Sequence, residues 1–93
     1  MRRVIDHDKL MEPMVNLNGT SRDELVRVRI DAALAISDAL LKLRALRPHG
    51  RDYLGDTNAY QRDLAIYEDR FASLRQIMNE IDDEAEQIQG DNF

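Results

Sequence analysis

The sequence predicts an all-α protein: an antiparallel two-helix hairpin with a short N-terminal helical or extended segment, assembled into a helical oligomer. Three observations carry that expectation. From Tyr60 onward the apolar residues Tyr60, Leu64, Tyr67, Phe71, Leu74, Met78, Ile81, Ala85 and Ile88 are spaced alternately by four and three. That rhythm is the seam of a coiled-coil-like packing, whereas a strand needs a period of two. An earlier segment, Ser21 to Arg47, carries helix start and stop signals and an apolar rhythm of its own. Only the connection from Arg47 to Thr57, with two glycines and one proline, lies between them, and antiparallel packing follows.

In chain order, residues 1–17 come first as a lead-in. Asp6 can cap a short helix over His7 to Met11 that Pro13 limits, leaving Met14, Val15 and Leu17 as an apolar extended stretch. These side chains need a surface to cover, and we expect it on a neighbouring subunit. Residues 18–90 form the hairpin, with helices over about 22–46 and 59–89. The first begins at Ser21, whose hydroxyl can cap it while Glu24 reaches back to the N–H of the cap, the capping-box spacing. Asp23 and Glu24 in the first turn and Lys42, Arg44 and Arg47 in the last suit the helix dipole, and Pro48 ends the helix. Its inner stripe reads Leu25, Ala32, Ile36, Ala39, Leu43 and Leu46, with Arg29 interrupting. A second stripe reads Val26, Ile30, Leu34 and Leu41. A single partner helix cannot cover two apolar faces, so the outer one is expected against another subunit. For the second helix, Asn58 with Gln61 is the expected capping pair and Gly90 the stop. Its roughly 31 residues at about 1.5 Å each make a rod of about 46 Å.

Composition narrows the function classes. Ninety-three residues make one domain of modest size that gains stability from partner subunits. The absence of cysteine rules out disulfides, thiolate metal sites and a cysteine nucleophile. No apolar run approaches the roughly 20 residues of a membrane-spanning helix, and Met1-Arg2-Arg3-Val4-Ile5-Asp6 breaks off before forming a signal-peptide core. A soluble, cytoplasmic protein without a membrane partner is expected. A net charge of −5 opposes wrapping a DNA or RNA polymer, yet a local basic pocket can still take a small anion. Residues 21–47 carry six basic and four acidic side chains, whereas 76–93 carry six acidic ones and no basic one. In the hairpin, Glu80, Asp82, Asp83, Glu84 and Glu86 therefore lie beside Arg22, Arg27 and Arg29.

Few constellations carry chemistry. His7 and His49 stand 42 residues apart, too far to read as a metal pair, and no metal or cofactor is expected. Asp82, Asp83 and Glu86 resemble a solvated helix face more than an acid–base pair, since a hairpin offers little cleft to shift their pKa values. No Ser, His and Asp arrangement has the strand-turn-helix context of a nucleophile. An enzyme is not expected. The loop Asn18-Gly19-Thr20-Ser21 running into Arg22 has two readings. As a capping turn it explains Ser21 and Glu24 and tolerates Gly19. As an anion site it brings two hydroxyls, unpaired helix-start N–H groups and a guanidinium to one helix end, where they can hold a phosphodiester. In Pro48-His49-Gly50-Arg51-Asp52-Tyr53, Asp52 can fix Arg51 while Tyr53 packs over the hairpin tip, or Arg51 and Tyr53 can face a ligand. Arg70, beside Phe71 of the seam, can pair with Asp63 or Asp69, or reach into a subunit junction and there hold an anion or stack on a base.

The Asn-Gly-Thr-Ser start at Asn18 to Ser21, the Pro-His-Gly-Arg-Asp-Tyr tip at Pro48 to Tyr53 and the arginine at Arg70 resemble a phage family. It is the helical-hairpin sponge family that counters CBASS and Thoeris immunity, and the likeness covers about residues 14 to 88. It implies a compact homo-oligomer, a hexamer, in the cytoplasm of a bacterial host, sequestering cyclic di- or trinucleotide messengers without cleaving them. The resemblance also implies pockets between subunits that use Asn18, Gly19, Thr20, Ser21 and Arg22, with Arg70 from a neighbouring chain. The 17 lead-in residues are too few for the β-rich region that some members use for cyclic ADP-ribose-type signals. Some relatives stack a base on a tyrosine in that segment, where this chain has His7. Two alternatives stand beside this expectation: a small interaction module, such as a phage inhibitor or structural subunit, and a sponge for cyclic ADP-ribose isomers.

Overall fold

The computed structural model of the chain describes residues 9–16 and 18–90. Two long helices, α1 (Arg22–Leu43) and α2 (Thr57–Gly90), pack side by side, and no strand occurs among the described residues. Arg29 near the start of α1 meets Glu84 near the end of α2, and Arg47 just beyond α1 lies over the ring of Tyr67. The pairing is therefore antiparallel.

Local chemistry sets the helix ends. Ser21, in an extended conformation, accepts the amide of Glu24 on Oγ at 3.2 Å, which satisfies one of the donors a helix start leaves unpaired. The return half of the expected capping box is not made. Instead the Glu24 carboxylate takes the guanidinium of Arg27, which also reaches Asp31 at 3.1 Å. After Leu43 the chain tightens into a 3-10 turn over Arg44–Leu46 and turns extended at Arg47, the conformation that a following proline imposes. A second 3-10 turn covers Gly50–Tyr53. Gly55 then takes φ +84, a left-handed value that a glycine adopts at no steric cost. The cap of α2 is Asp56, whose Oδ1 accepts the amide of Ala59 at 2.9 Å. It replaces the expected Asn58 and Gln61 pair because the helix begins two residues earlier, at Thr57.

All nine seam residues of α2, Tyr60 through Ile88, are buried or half-buried. The seam of α1 differs from the expected stripe. Val26, Ala33 and Leu40 are its buried residues, with Leu25, Arg29, Ile36 and Leu43 half-buried, while Ala32, Ala39 and Leu46 are exposed. The expected phase was thus one residue early at two positions, 32 and 39, whereas Leu25 packs against the core beside Val26. Two physical reasons account for it. Burying Leu40 in place of Ala39 removes more apolar surface from water, at about 25 cal/mol per Å², and Arg29 is turned toward Glu84. Of the second stripe, Val26 belongs to the core, and Ile30, Leu34 and Leu41 are exposed, Leu34 to 64%.

Leu10 is buried, and the Met11 amide donates to Glu84 Oε2 at 3.1 Å. For these two residues of the lead-in, the covered surface is the chain's own hairpin, whereas Met14 and Val15 stay exposed. Residues 11–16 hold no helix. Asp6, His7 and Leu17 lie outside the described residues.

The rod measures 64 × 23 × 21 Å, with a radius of gyration of 18.3 Å against about 12 Å for a compact chain of this length. Its accessible surface is 7419 Å², where a compact protein of this mass shows about 5,500 Å². The hairpin leaves much apolar surface uncovered.

Candidate functional site

At the start of α1 the turn is built by Asn16. Its side-chain Oδ1 accepts the amide of Asn18 at 3.0 Å, and its carbonyl accepts that of Gly19 at 3.3 Å. A Cβ on Gly19 would stand 3.2 Å from Asn16 Oδ1 and 3.3 Å from Nδ2. A side chain there would press on the amide of Asn16, a residue the sequence reading did not single out, and that amide would have to give by a few tenths of an ångström. Two amides expected for an anion are thus engaged within the turn. Thr20 and Ser21 are exposed, and the first-turn amides of Arg22 and Asp23 point out of the helix end. Arg22 is half-buried and lines a hollow of about 190 Å³ with Val26, Ile30 and Gln89. Asp23 and Arg27 share that hollow. The hydrogen bond and charge of Glu24 hold the Arg27 guanidinium above its ordinary pKa, with Asp31 adding to the effect, so its charge is matched within α1.

The tip gathers a second group. Tyr53 donates its hydroxyl to Asp63 Oδ2 at 2.7 Å, and Arg62 Nε donates to Oδ1 at 3.0 Å. That bond raises the Tyr53 pKa above its ordinary value, and the same bond, followed by that from Arg62, lowers the Asp63 pKa. The Tyr53 ring also packs on Tyr60 at 5.7 Å. Tyr53 and Arg70 line one hollow of about 290 Å³ beside Pro48 and Ile66. Arg51 is exposed and does not line it. Asp52 makes no ion pair with Arg51, and its amide donates to the His49 carbonyl at 3.0 Å. Arg70 makes no ion pair with Asp63 or Asp69, although its charge helps to lower the Asp63 pKa.

The fold therefore sorts the eight candidate residues into two sets. Asn18 to Arg22 lie at one end of α1, while Arg51, Tyr53 and Arg70 lie beside its other end, across a helix of 22 residues or about 33 Å. One chain does not bring them together.

A larger concavity lies elsewhere, a groove of about 750 Å³ along one flank of α2 from Tyr67 to Asp83, with Leu10 in its lining. Tyr67 and Phe71, ring centroids 6.1 Å apart, form its floor at the tip end. Arg44 and Arg47 line it there, and Arg75 lines it midway along. The sequence reading assigned Tyr67 and Phe71 to the seam and Arg44 and Arg47 to the helix dipole, and passed over Arg75. The signal was present in the run from Lys42 to Arg51, which holds four basic residues and no acidic one.

Among the described residues no group of three or more His, Asp or Glu side chains is arranged to hold a metal ion, and no helix is long and apolar enough to cross a membrane. No family model, no curated protein and no solved structure matches the chain.

Proposed function

We propose that the chain assembles into a helical homo-oligomer that sequesters cyclic di- or trinucleotide messengers at junctions between subunits and releases them chemically unchanged. The carrying observation is the exposed stripe Ile30, Leu34 and Leu41 on a helix whose seam is already filled. Covering it with a second hairpin removes apolar surface from water, and a neighbouring chain is what can bring an Arg70 to the Thr20, Ser21 and Arg22 end. Hydroxyls, first-turn amides and guanidiniums held on rigid helices bind phosphates with little ordering cost. A dissociation constant near 1 nM corresponds to about −12 kcal/mol, within reach of several such contacts and two or three buried bases. In a phage-infected bacterium such a sink lowers free messenger below the threshold of the host immune effector.

Calorimetry with cyclic di- and trinucleotides tests the reading, alongside light scattering for the assembly. Arg22→Ala and Arg70→Ala are expected to weaken binding while the particle size is kept. Recovery of the intact nucleotide after denaturing the protein separates sequestration from catalysis. Heat from none of the nucleotides, with the oligomer present, moves the reading to a helical interaction module, which the same exposed stripe supports. A stable monomer removes the junction site altogether.

A further inference from the structure

We propose that the α2 groove is a second, intrachain site for an anion that carries a flat aromatic ring, of the nucleotide type: phosphate at the arginine end, ring on the aromatic floor. The proposal does not rest on the sequestration reading, because every group it uses belongs to one hairpin.

The argument starts with unmatched charge. Arg44 and Arg75 are exposed and form no ion pair or hydrogen bond among the described residues, and Arg47 has only the face of Tyr67, 6.0 Å from its centroid. Elsewhere in the hairpin, Arg27, Arg29 and Arg62 all have carboxylate partners. Arg44 and Arg47 line the tip end of the groove and Arg75 its middle, and guanidinium is the side chain whose planar fork suits phosphate oxygens. Glu68 is the carboxylate of the lining nearest that end, and the two cations there outnumber it.

The floor supplies the second half of the ligand. Tyr67 and Phe71 are tilted 37° to one another, and Arg47 over Tyr67 shows that the floor already receives a flat cation. Tyr67 is 8% exposed with Arg47 over its face, so the half-buried ring of Phe71 is the one on which a base gains stacking, about 1 to 3 kcal/mol per base, which is about 5- to 160-fold in affinity. Gln76 and Asn79 on the same wall carry amide groups that can meet the edge of a base. The far end of the groove holds Glu80 and Asp83. The charge of Glu80 there disfavours a phosphate, which favours its placement at the Arg44 and Arg47 end. The volume of about 750 Å³ falls within the range of small-molecule sites.

The test is a titration of the full chain with adenosine 5′-monophosphate, with adenosine and inorganic phosphate as its two halves. The monophosphate is expected to bind about tenfold or more tighter than either half. The variant Arg44→Ala, Arg47→Ala, Arg75→Ala is expected to lose that binding, with its helicity by circular dichroism unchanged because all three residues are exposed. Phe71→Leu is expected to bring the monophosphate close to the affinity of inorganic phosphate. Should the triple variant lose helicity, Arg75→Ala decides alone, with about tenfold weaker binding expected. The proposal is overturned if the monophosphate binds no tighter than inorganic phosphate, or if removing the arginines leaves its affinity unchanged. Thr20, Arg22 and Arg70 are untouched in these variants, so a failure here leaves the junction site standing, and the reverse holds as well.

Discussion

At the end of the hairpin where α1 begins, Arg29 crosses the seam to a Glu84 side chain that is 8% exposed, and Arg27 is bracketed by Glu24 and Asp31. Toward the other end Arg44, and midway along α2 Arg75, stand exposed with no carboxylate partner among the described residues. The residue type is the same, and what differs is whether the opposite charge is supplied by the chain. Where it is, arginine fixes the rotation of one helix against the other and is withdrawn from outside ligands. Where it is not, the guanidinium contributes little to folding and is available to an anion. The contrast follows from the sequence, since the acidic residues of 76–90 face the start of α1, while Asp38 reaches only Lys42 and leaves Arg44 without a carboxylate.

The largest effect that would test this contrast is at the matched end. Glu84→Ala removes the acceptor of both Arg29 Nε and the Met11 amide and leaves a half-buried guanidinium without its counter-charge. Loss of about 3 kcal/mol or more is expected, seen as a fall of about 12 °C or more in Tm; a change under about 1 kcal/mol would mean that the pair does not fix the register. Next comes Asp56→Ala at the tip, which removes the cap of α2 and is expected to cost about 1 kcal/mol by urea titration. Third, Arg44→Ala with Arg75→Ala is expected to shift stability by no more than about 0.5 kcal/mol, the usual range for surface changes. A large loss there would show that these arginines have structural work after all.

The smallest effect is a pH dependence. Asp63 titrates below its ordinary value in the folded chain, so the bond from Tyr53 contributes stability above about pH 4 and loses it as pH falls through the lowered value. For Tyr53, titrating above its ordinary value, the contribution is present below about pH 10 and fades as pH rises further. Tyr53→Phe is expected to flatten both limbs of a plot of Tm against pH. If neither limb changes, the bond has no bearing on folding.

The longer helix was legible because one stripe of large side chains, Tyr60 to Ile88, stands against polar neighbours, so that periodicity has a single phase. In α1 the same logic had too many solutions. Apolar residues occur at 32, 33, 34, 35 and 36 and again at 39, 40 and 41, so spacing alone cannot distinguish Ala39 from Leu40. Side-chain size and the Arg29–Glu84 pair decide, and the partner of that pair lies 55 residues away. Ser21 as cap was readable from its local pattern, as was the break at Pro48. The role of Gly19 was not, since it depends on where the Asn16 amide folds back. The groove escaped notice for a similar reason: its lining comes from the end of α1, the flank of α2 and Leu10, three segments that no local motif connects.

The hydrogen bond from the Met11 amide to Glu84 spans 73 residues of chain. It brings the incoming backbone and the outgoing helix to the same pole of the rod. The opposite pole, with Gly50 and Arg51, lies away from that fastening. A probe attached there would report on ligand or neighbour without disturbing the place where the two strands of the hairpin are fastened.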